Sequence, residues 1–185
     1  MSRLEIRRAG DGTVETVYTD YAAIAAQLST LDVRFERWEA TQLLSADAAQ
    51  DAVLAAYREP VQRLTREYGF QSVDVVSLRP DHPQRAELRN KFLAEHVHSD
   101  FEVRFFVDGS GLFYLHVGEH IYLVLCEQGD LISVPANTPH WFDMGERPNF
   151  KCIRLFTVAD GWVAQFTDSG IAERFPSYDQ FVAAA

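Results

Sequence analysis

The 185-residue chain reads as an α+β fold, mainly β, and three observations carry that reading. Up to about residue 93, helical patterns alternate with isolated strands. From His96 onward, short β runs follow one another at even spacing. Turn signals separate those runs: Gly109-Ser110-Gly111, Val117-Gly118-Glu119, Gln128-Gly129-Asp130 and Pro135-Ala136-Asn137. Short strands in this rhythm build a sandwich or a barrel, so a helical and mixed N-terminal part is expected to pack on a C-terminal all-β core. The length suits a single domain over residues 1–185, with no internal repeat, low-complexity segment or linker.

In chain order, residues 4–19, interrupted by Gly10-Asp11-Gly12, read as a hairpin, because an Asp-Gly pair supplies the positive φ of a tight turn. Asp20 is placed to cap a short alanine-rich helix over residues 21–28, and residues 33–38 have strand composition. Ser45 is expected to cap a longer helix that runs towards Tyr68. Pro60 should kink or split that helix, since its ring clashes with the preceding turn, and Gly69 should stop it. Residues 71–78 read as a strand and Arg79-Pro80-Asp81-His82-Pro83 as a loop. Residues 84–93 read as a helix with Leu88 and Phe92 on one face.

Composition excludes several classes. Lys and Arg number 17 against 27 Asp and Glu, a net charge of −10 that repels phosphate backbones and disfavours nucleic acid as a partner. The longest apolar runs, such as residues 121–126, fall far short of the roughly 20 residues a spanning helix needs. The opening Met-Ser-Arg-Leu-Glu-Ile-Arg-Arg has no apolar stretch behind its charges, so no secretory signal is expected. Cys126 and Cys152 form no C-x-x-C pair and read as small buried hydrophobes of a reducing compartment, which makes the cytoplasm the default location.

The chemistry-bearing stretch is Glu95-His96-Val97-His98-Ser99-Asp100-Phe101-Glu102-Val103-Arg104. Side chains on a strand alternate faces, so an extended segment would turn His96, His98, Glu102 and Arg104 to one side. Unpaired buried polar groups are expensive, and a divalent metal removes the penalty by taking imidazole lone pairs and a carboxylate as ligands. By residue frequencies, H-x-H-x3-[D/E] is expected by chance only about 0.03 times in a chain of this composition. Beyond the strand-like residues 129–135 and a Pro-framed turn, His140 is placed to close the site from a neighbouring strand. Arg104 then either balances an anionic ligand or pairs with a buried carboxylate such as Glu102. His82, His116 and His120 read as structural.

The two elements resemble the paired cupin motifs: H-x-H-x3-E with Gly109 six residues on, then Gly129-x5-Pro135 with His140 downstream. Asn90, Asn137 and Met144 depart from the usual Gly, Gly and Asn. The runs Leu88-Arg89-Asn90-Lys91-Phe92-Leu93-Ala94-Glu95-His96 and Glu102-Val103-Arg104-Phe105-Phe106-Val107-Asp108-Gly109, together with residues 135–142, resemble the bacterial acireductone dioxygenase family. The likeness is strong over residues 78–166, and the N-terminal third adds little to it. It implies a cupin-type double-stranded β-barrel (jelly roll), with the N-terminal helices and hairpin packed on it. It also implies one Fe(2+) or Ni(2+) per chain on His96, His98, Glu102 and His140, and a role for Arg104 in the ionisation of bound substrate. Glu95 would be linked to metal loading. Phe92, Phe142 and Trp162 would line a pocket for a thioether tail, and Arg154 would offer a further anion contact. Phe101 stands where such proteins are expected to carry an acid.

The activity so implied is cleavage of acireductone (1,2-dihydroxy-3-keto-5-methylthiopentene) by O2 in methionine salvage. The iron form would yield 4-methylthio-2-oxobutanoate and formate, and the nickel form 3-methylthiopropanoate, formate and CO. A monomer with a small-molecule substrate, and no nucleic-acid or membrane partner, is expected. The rival readings are another cupin metalloenzyme, such as a sugar isomerase or a different diol oxygenase, a non-catalytic ligand-binding cupin, and a structural zinc site.

Overall fold

The computed structural model describes residues 1–184 apart from Leu43 and Ala46. It opens with the expected hairpin, β1 (Arg3–Arg8) and β2 (Val14–Tyr18), paired antiparallel with a bulge at Ile6/Arg7. Asp20 caps α1 (Tyr21–Ser29) by accepting a hydrogen bond from Ala23 N at 3.0 Å, and β3 (Arg34–Arg37) follows. The long helix is split into α2 (Gln50–Ala56) and α3 (Arg58–Tyr68). Pro60 is the third residue of α3, and its ring clashes with the carbonyl four residues back, on Ala56, which ends α2 there. Gly69 stops α3 in the left-handed conformation, with φ at 73°. Ser45 does not cap α2. The N-cap position is Ala49, and Ser45 instead uses its carbonyl, which accepts from Ala48 N at 3.0 Å and Lys151 Nζ at 3.1 Å.

The remaining elements are β4 (Ser72–Leu78), α4 (Arg85–Leu93), β5 (His96–Val97), β6 (Glu102–Val117), β7 (His120–Glu127), β8 (Asp130–Val134), β9 (His140–Asp143), β10 (Phe150–Phe156), β11 (Gln165–Phe166) and a terminal α5 (Tyr178–Ala183). They form two antiparallel sheets that share β6. One sheet runs β11-β5-β9-β6-β7-β1-β2, and the other β4-β10-β6-β8-β3. This is the double-stranded β-barrel the sequence implied. Among the described residues, no helix is long and apolar enough to cross a membrane.

Gly109-Ser110-Gly111 is not a turn between strands, as expected from composition, but a bend within the 16-residue β6. Before the bend, β6 pairs with β10 and β8, and after it with β7 and β9. The inward set changes parity across it. Phe106 faces the barrel interior while Val103 and Phe105 face out, whereas beyond the glycines Phe113 and Leu115 face in and Leu112 and Tyr114 out. Glycine is required at both ends of the bend. A methyl group on Gly109, whose φ is 71°, would lie 1.8 Å from the Asn149 carbonyl oxygen, and one on Gly111 would lie 2.2 Å from Phe142 Cζ. Gly109→Ala is therefore expected to destabilise the chain by about 3 kcal/mol or more. The check is the midpoint of denaturant unfolding, and a loss below about 1 kcal/mol would mean the bend can shift.

Inside the barrel, rings from both sheets meet: Phe142 stands 4.9 Å from Phe113, 6.3 Å from Phe106 and 5.5 Å from Phe150, centroid to centroid. Each such buried ring contributes roughly 1.5–3 kcal/mol. Ile24 and Leu28 of α1 pack into the same cluster. Val53 of α2, Leu64 of α3 and Tyr57 at the junction between them cover the outer face of the β10-bearing sheet, and Ile171, Phe175 and Phe181 cover the outer face of the other. Both outer faces being covered, the chain presents its polar cluster from within the barrel.

Candidate metal centre

The two sheets deliver different donors. His96 on β5 sits directly opposite His140 on β9 in the first sheet. Glu102 opens β6 in the second sheet opposite Val134, with Arg104 two residues on. His98 lies in the link between them. The stretch from His96 to Arg104 is thus not one extended strand: β5 is two residues long, and the chain bends at Ser99-Asp100 before β6 begins. The shared face that strand parity predicted is reached by a bend from one sheet to the other. In the turn before β9, Asn137 adopts φ 60°, the left-handed conformation that Asn tolerates best after Gly.

His96, His98 and His140 bring one ring nitrogen each to within 4.8 Å of one another, and all three residues are buried. Glu102 Oε2 stands 3.3 Å from His140 Nε2 and 3.7 Å from His98 Nε2. Each imidazole is tied from behind. Nδ1–H of His96 donates to Ala94 O at 2.7 Å, that of His98 to Val163 O at 3.1 Å, and that of His140 to Thr138 O at 2.7 Å. A carbonyl only accepts, so Nδ1 carries the proton and Nε2 keeps its lone pair. Burial, with His140 close by, pushes the His96 pKa down to about 4, and burial lowers that of His98, so both rings are neutral donors near neutral pH. Burial would raise the Glu102 carboxyl, but Arg104, His140 and His98 together hold it well below the usual carboxylate range.

Two buried atoms of this cluster, Glu102 Oε2 and His140 Nε2, lie 3.3 Å apart, and with the His140 proton on Nδ1 both are lone-pair atoms with no hydrogen-bond donor among the described residues. Buried polar atoms are almost always satisfied. Here the two orphans belong to a set of three anchored imidazoles and one carboxylate oxygen, so the residues fit a divalent ion.

Arg104 is 2% exposed and donates from Nε to Glu102 Oε1 at 2.6 Å, so the ion pair weighed from the sequence forms. Its guanidinium also lies over Phe92, Phe113 and Phe142 at 5.4, 5.1 and 4.7 Å, and its Nη1 is buried without a hydrogen-bond partner among the described residues. Phe92 and Phe142 meet edge to face at 6.2 Å. Arg154 sits across from Arg104 in register but is engaged by Asp74 at 2.7 and 2.9 Å. Trp162 lies in the loop before β11 and is 51% exposed.

Glu95 lies at the corner between α4 and β5. It is buried, accepts from His116 Nδ1–H and Ser169 Oγ at 2.7 Å each and from Thr167 Oγ1, and so ties the β11 segment down beside His96. His116 thereby has a structural partner, and His120 has Glu15 at 3.0 Å. Phe101 packs on Tyr68 and Phe70 in the helical layer. A cavity of about 400 Å³ lies next to the cluster, bordered by Asn90, Leu93, Glu95, Phe166 and Ser169, and none of the four candidate donors lines it.

Sequence reasoning missed three contributors. Phe113 enters the Arg104 cage only because β6 changes parity. Asp143, fully buried, binds Arg89 of α4 at 2.7 and 3.0 Å and so docks the helix that carries Phe92. Asp100 pins the bend between His98 and Glu102.

A family model described as the ARD/ARD' family matches residues 11–164. The chain belongs to that family. As an ARD/ARD' family member it is 55% identical over 182 residues to an acireductone dioxygenase from Methylococcus capsulatus, covering 98% of both chains. It is 62% identical over 153 residues to one from Pseudomonas aeruginosa, covering 83% of this chain and 84% of that one. Among solved structures it resembles an acireductone dioxygenase from Bacillus anthracis with a cadmium ion in its active centre. The identity there is 28% and the TM-score 0.81, with 90% of this chain and 98% of that one covered. The family likeness therefore begins at the N-terminal hairpin and includes the helical third that the sequence reading gave little weight.

Proposed function

We propose that this chain is a metal-dependent dioxygenase that cleaves acireductone with O2 at one divalent ion held by His96, His98, Glu102 and His140. The observation that carries the reading is the convergence of three Nδ1-anchored imidazoles on an orphaned carboxylate oxygen. Membership of the family and the cadmium ion in the Bacillus anthracis relative support it. When bound, such an ion would supply Lewis acidity and a template for an ene-diol substrate.

The chain's own residues do the rest. Arg104 holds its charge in place through Glu102 and presents Nη1–H, a fixed donor for an anionic ene-diolate oxygen. Phe92, Phe113 and Phe142 keep the guanidinium planar-faced and dry, which strengthens that interaction. Phe92 and Phe142 also offer ring edges to a thioether, a favourable sulfur contact, with Trp162 and Arg154 as outer contacts of the tail. Glu95 supports loading of the ion by securing the β11 segment at His96. The ion is Fe(2+) or Ni(2+), the pathway methionine salvage. All four donors come from one chain, consistent with a monomer, and two buried free thiols suit the cytoplasm.

The test is reconstitution of the stripped protein with iron or nickel, followed by acireductone and an oxygen pulse. Iron-loaded protein should give the 2-keto acid and formate, and nickel-loaded protein 3-methylthiopropanoate, formate and CO. Oxygen uptake by neither form would overturn the reading.

A further inference from the structure

Asp100 plays no part in the chemistry proposed above, yet its buried carboxylate accepts four hydrogen bonds. Oδ1 accepts from Phe101 N at 2.9 Å and Thr157 Oγ1 at 2.7 Å. Oδ2 accepts from Thr157 N and from Val158 N at 3.1 Å. Three of these donors lie just past the end of β10, in the loop that returns towards the cluster. Two consecutive turns stiffen that loop, Gly161 N donating to Val158 O at 3.1 Å and Val163 N to Asp160 O at 3.0 Å. The loop ends on Val163, whose carbonyl receives the His98 Nδ1 proton. Gly161 seats the loop directly on Asp100: a methyl group there would lie 2.8 Å from Asp100 Oδ2. His98, Ser99, Asp100 and residues 157–163 thus form a closed ring of contacts with one imidazole as its last member.

We propose that Asp100 is a positioning residue of the metal centre, acting through residues 157–163 to fix the ring plane and tautomer of His98. His96 and His140 take their carbonyls from Ala94 and Thr138, two residues upstream of each, so their tautomers are set by their own local backbone just before β5 and β9. His98 depends on a carbonyl 65 positions away, and Asp100 holds that carbonyl's loop in place. With the loop released, the polar group facing the other ring nitrogen, Glu102 Oε2 at 3.7 Å from Nε2, favours Nε2–H, and a ring protonated there cannot ligate through that atom. The inference rests on the reading of His98 as a ligand made above.

The decisive variants are Asp100→Asn, which turns an amide N–H towards backbone donors, and Thr157→Val, which removes one donor and leaves the carboxylate intact. Full-length wild type and both variants, stripped of metal, are compared by imidazole ¹H–¹⁵N correlation spectra. In Asp100→Asn, His98 should leave the Nδ1–H tautomer while His96 and His140 keep it, and Thr157→Val should show a smaller shift of the same signal. Ni(2+) titration of the same samples should show affinity about 10–100-fold weaker for Asp100→Asn.

An unchanged His98 signal with Ni(2+) affinity within about twofold of wild type in both variants would overturn the proposal. Simultaneous loss of all three histidine signals would overturn it too, since that marks general loosening. If Asp100→Asn does not fold, Thr157→Val carries the comparison. Failure of wild type to bind Ni(2+) would instead sink the metal reading, while a selective His98 response would still establish the hold of Asp100 on that ring.

Discussion

His140→Ala should purify with far less than one divalent ion per chain, and its oxygen consumption with acireductone should fall at least ~1000-fold, the equivalent of about 4 kcal/mol in the barrier. Three features single out this histidine. Its Nε2 is buried without a hydrogen-bond donor among the described residues, 3.3 Å from Glu102 Oε2, an arrangement a divalent ion would satisfy. It stands on β9, bonded on one side to β5 and on the other to β6, where neither neighbour can move to replace it. Its ring also lies 4.5 Å from that of His96 and 5.3 Å from that of His98, and its Nε2 is the nearer of two imidazole nitrogens to Glu102 Oε2, at 3.3 Å against 3.7 Å for His98. The substitution removes a crowded polar ring and leaves the three apolar clusters untouched, so the metal-free variant should keep its far-UV dichroism. Inductively coupled plasma analysis beside oxygen-electrode rates checks the result. Near-stoichiometric metal with retained turnover would remove His140 from the ligand set.

The convergence of these side chains was legible because candidate metal ligands are constrained by type as well as by position. The H-x-H-x3-E spacing and the histidine after Pro135 survive translation into structure even though the strand assumed to carry them is broken. The reason is the bend at Ser99-Asp100: it restores on the second sheet the side that parity alone would have assigned on the first. Turn chemistry was equally readable where it serves a chain reversal, as at Gly118 and Gly129, both with positive φ. It misled at Gly109-Ser110-Gly111, where the same residues bend a continuous strand, because a bulge and a hairpin make the same local demand for glycine.

What composition could not reveal were partners distant in sequence. The Glu95–His116, Arg89–Asp143 and Arg154–Asp74 pairs join positions 21, 54 and 80 apart. Ser45 is not the helix cap because α2 starts only at Gln50, with Ala49 at the cap position, and the Ser45 carbonyl instead meets Lys151, 106 positions on.

Arg104→Ala should destabilise the metal-free chain by about 3–5 kcal/mol, because it strands the Glu102 carboxylate in a buried site. Both side chains are only 2–3% exposed, and Arg104 leads the groups that hold the Glu102 carboxyl below its usual range against its burial. A divalent ion on the same carboxylate would supply the missing positive charge, so metal-saturated Arg104→Ala should lose distinctly less stability than the metal-free form. Turnover should nonetheless drop roughly 10²–10³-fold, the range for removing one preorganised donor at a developing charge. Arg104→Lys separates the two effects. An ammonium can neutralise Glu102 and recover most of the stability, but it cannot bond Glu102 through one nitrogen while aiming a second, rigidly placed N–H at substrate. It also gives up the flat contact with Phe92, Phe113 and Phe142. Denaturant unfolding with and without metal, set beside steady-state rates for the three proteins, tests each part. Equal destabilisation in both metal states would show that Glu102 and the ion do not share charge. Wild-type turnover in Arg104→Lys would show that charge alone, and not the guanidinium fork, is what the reaction requires of this position.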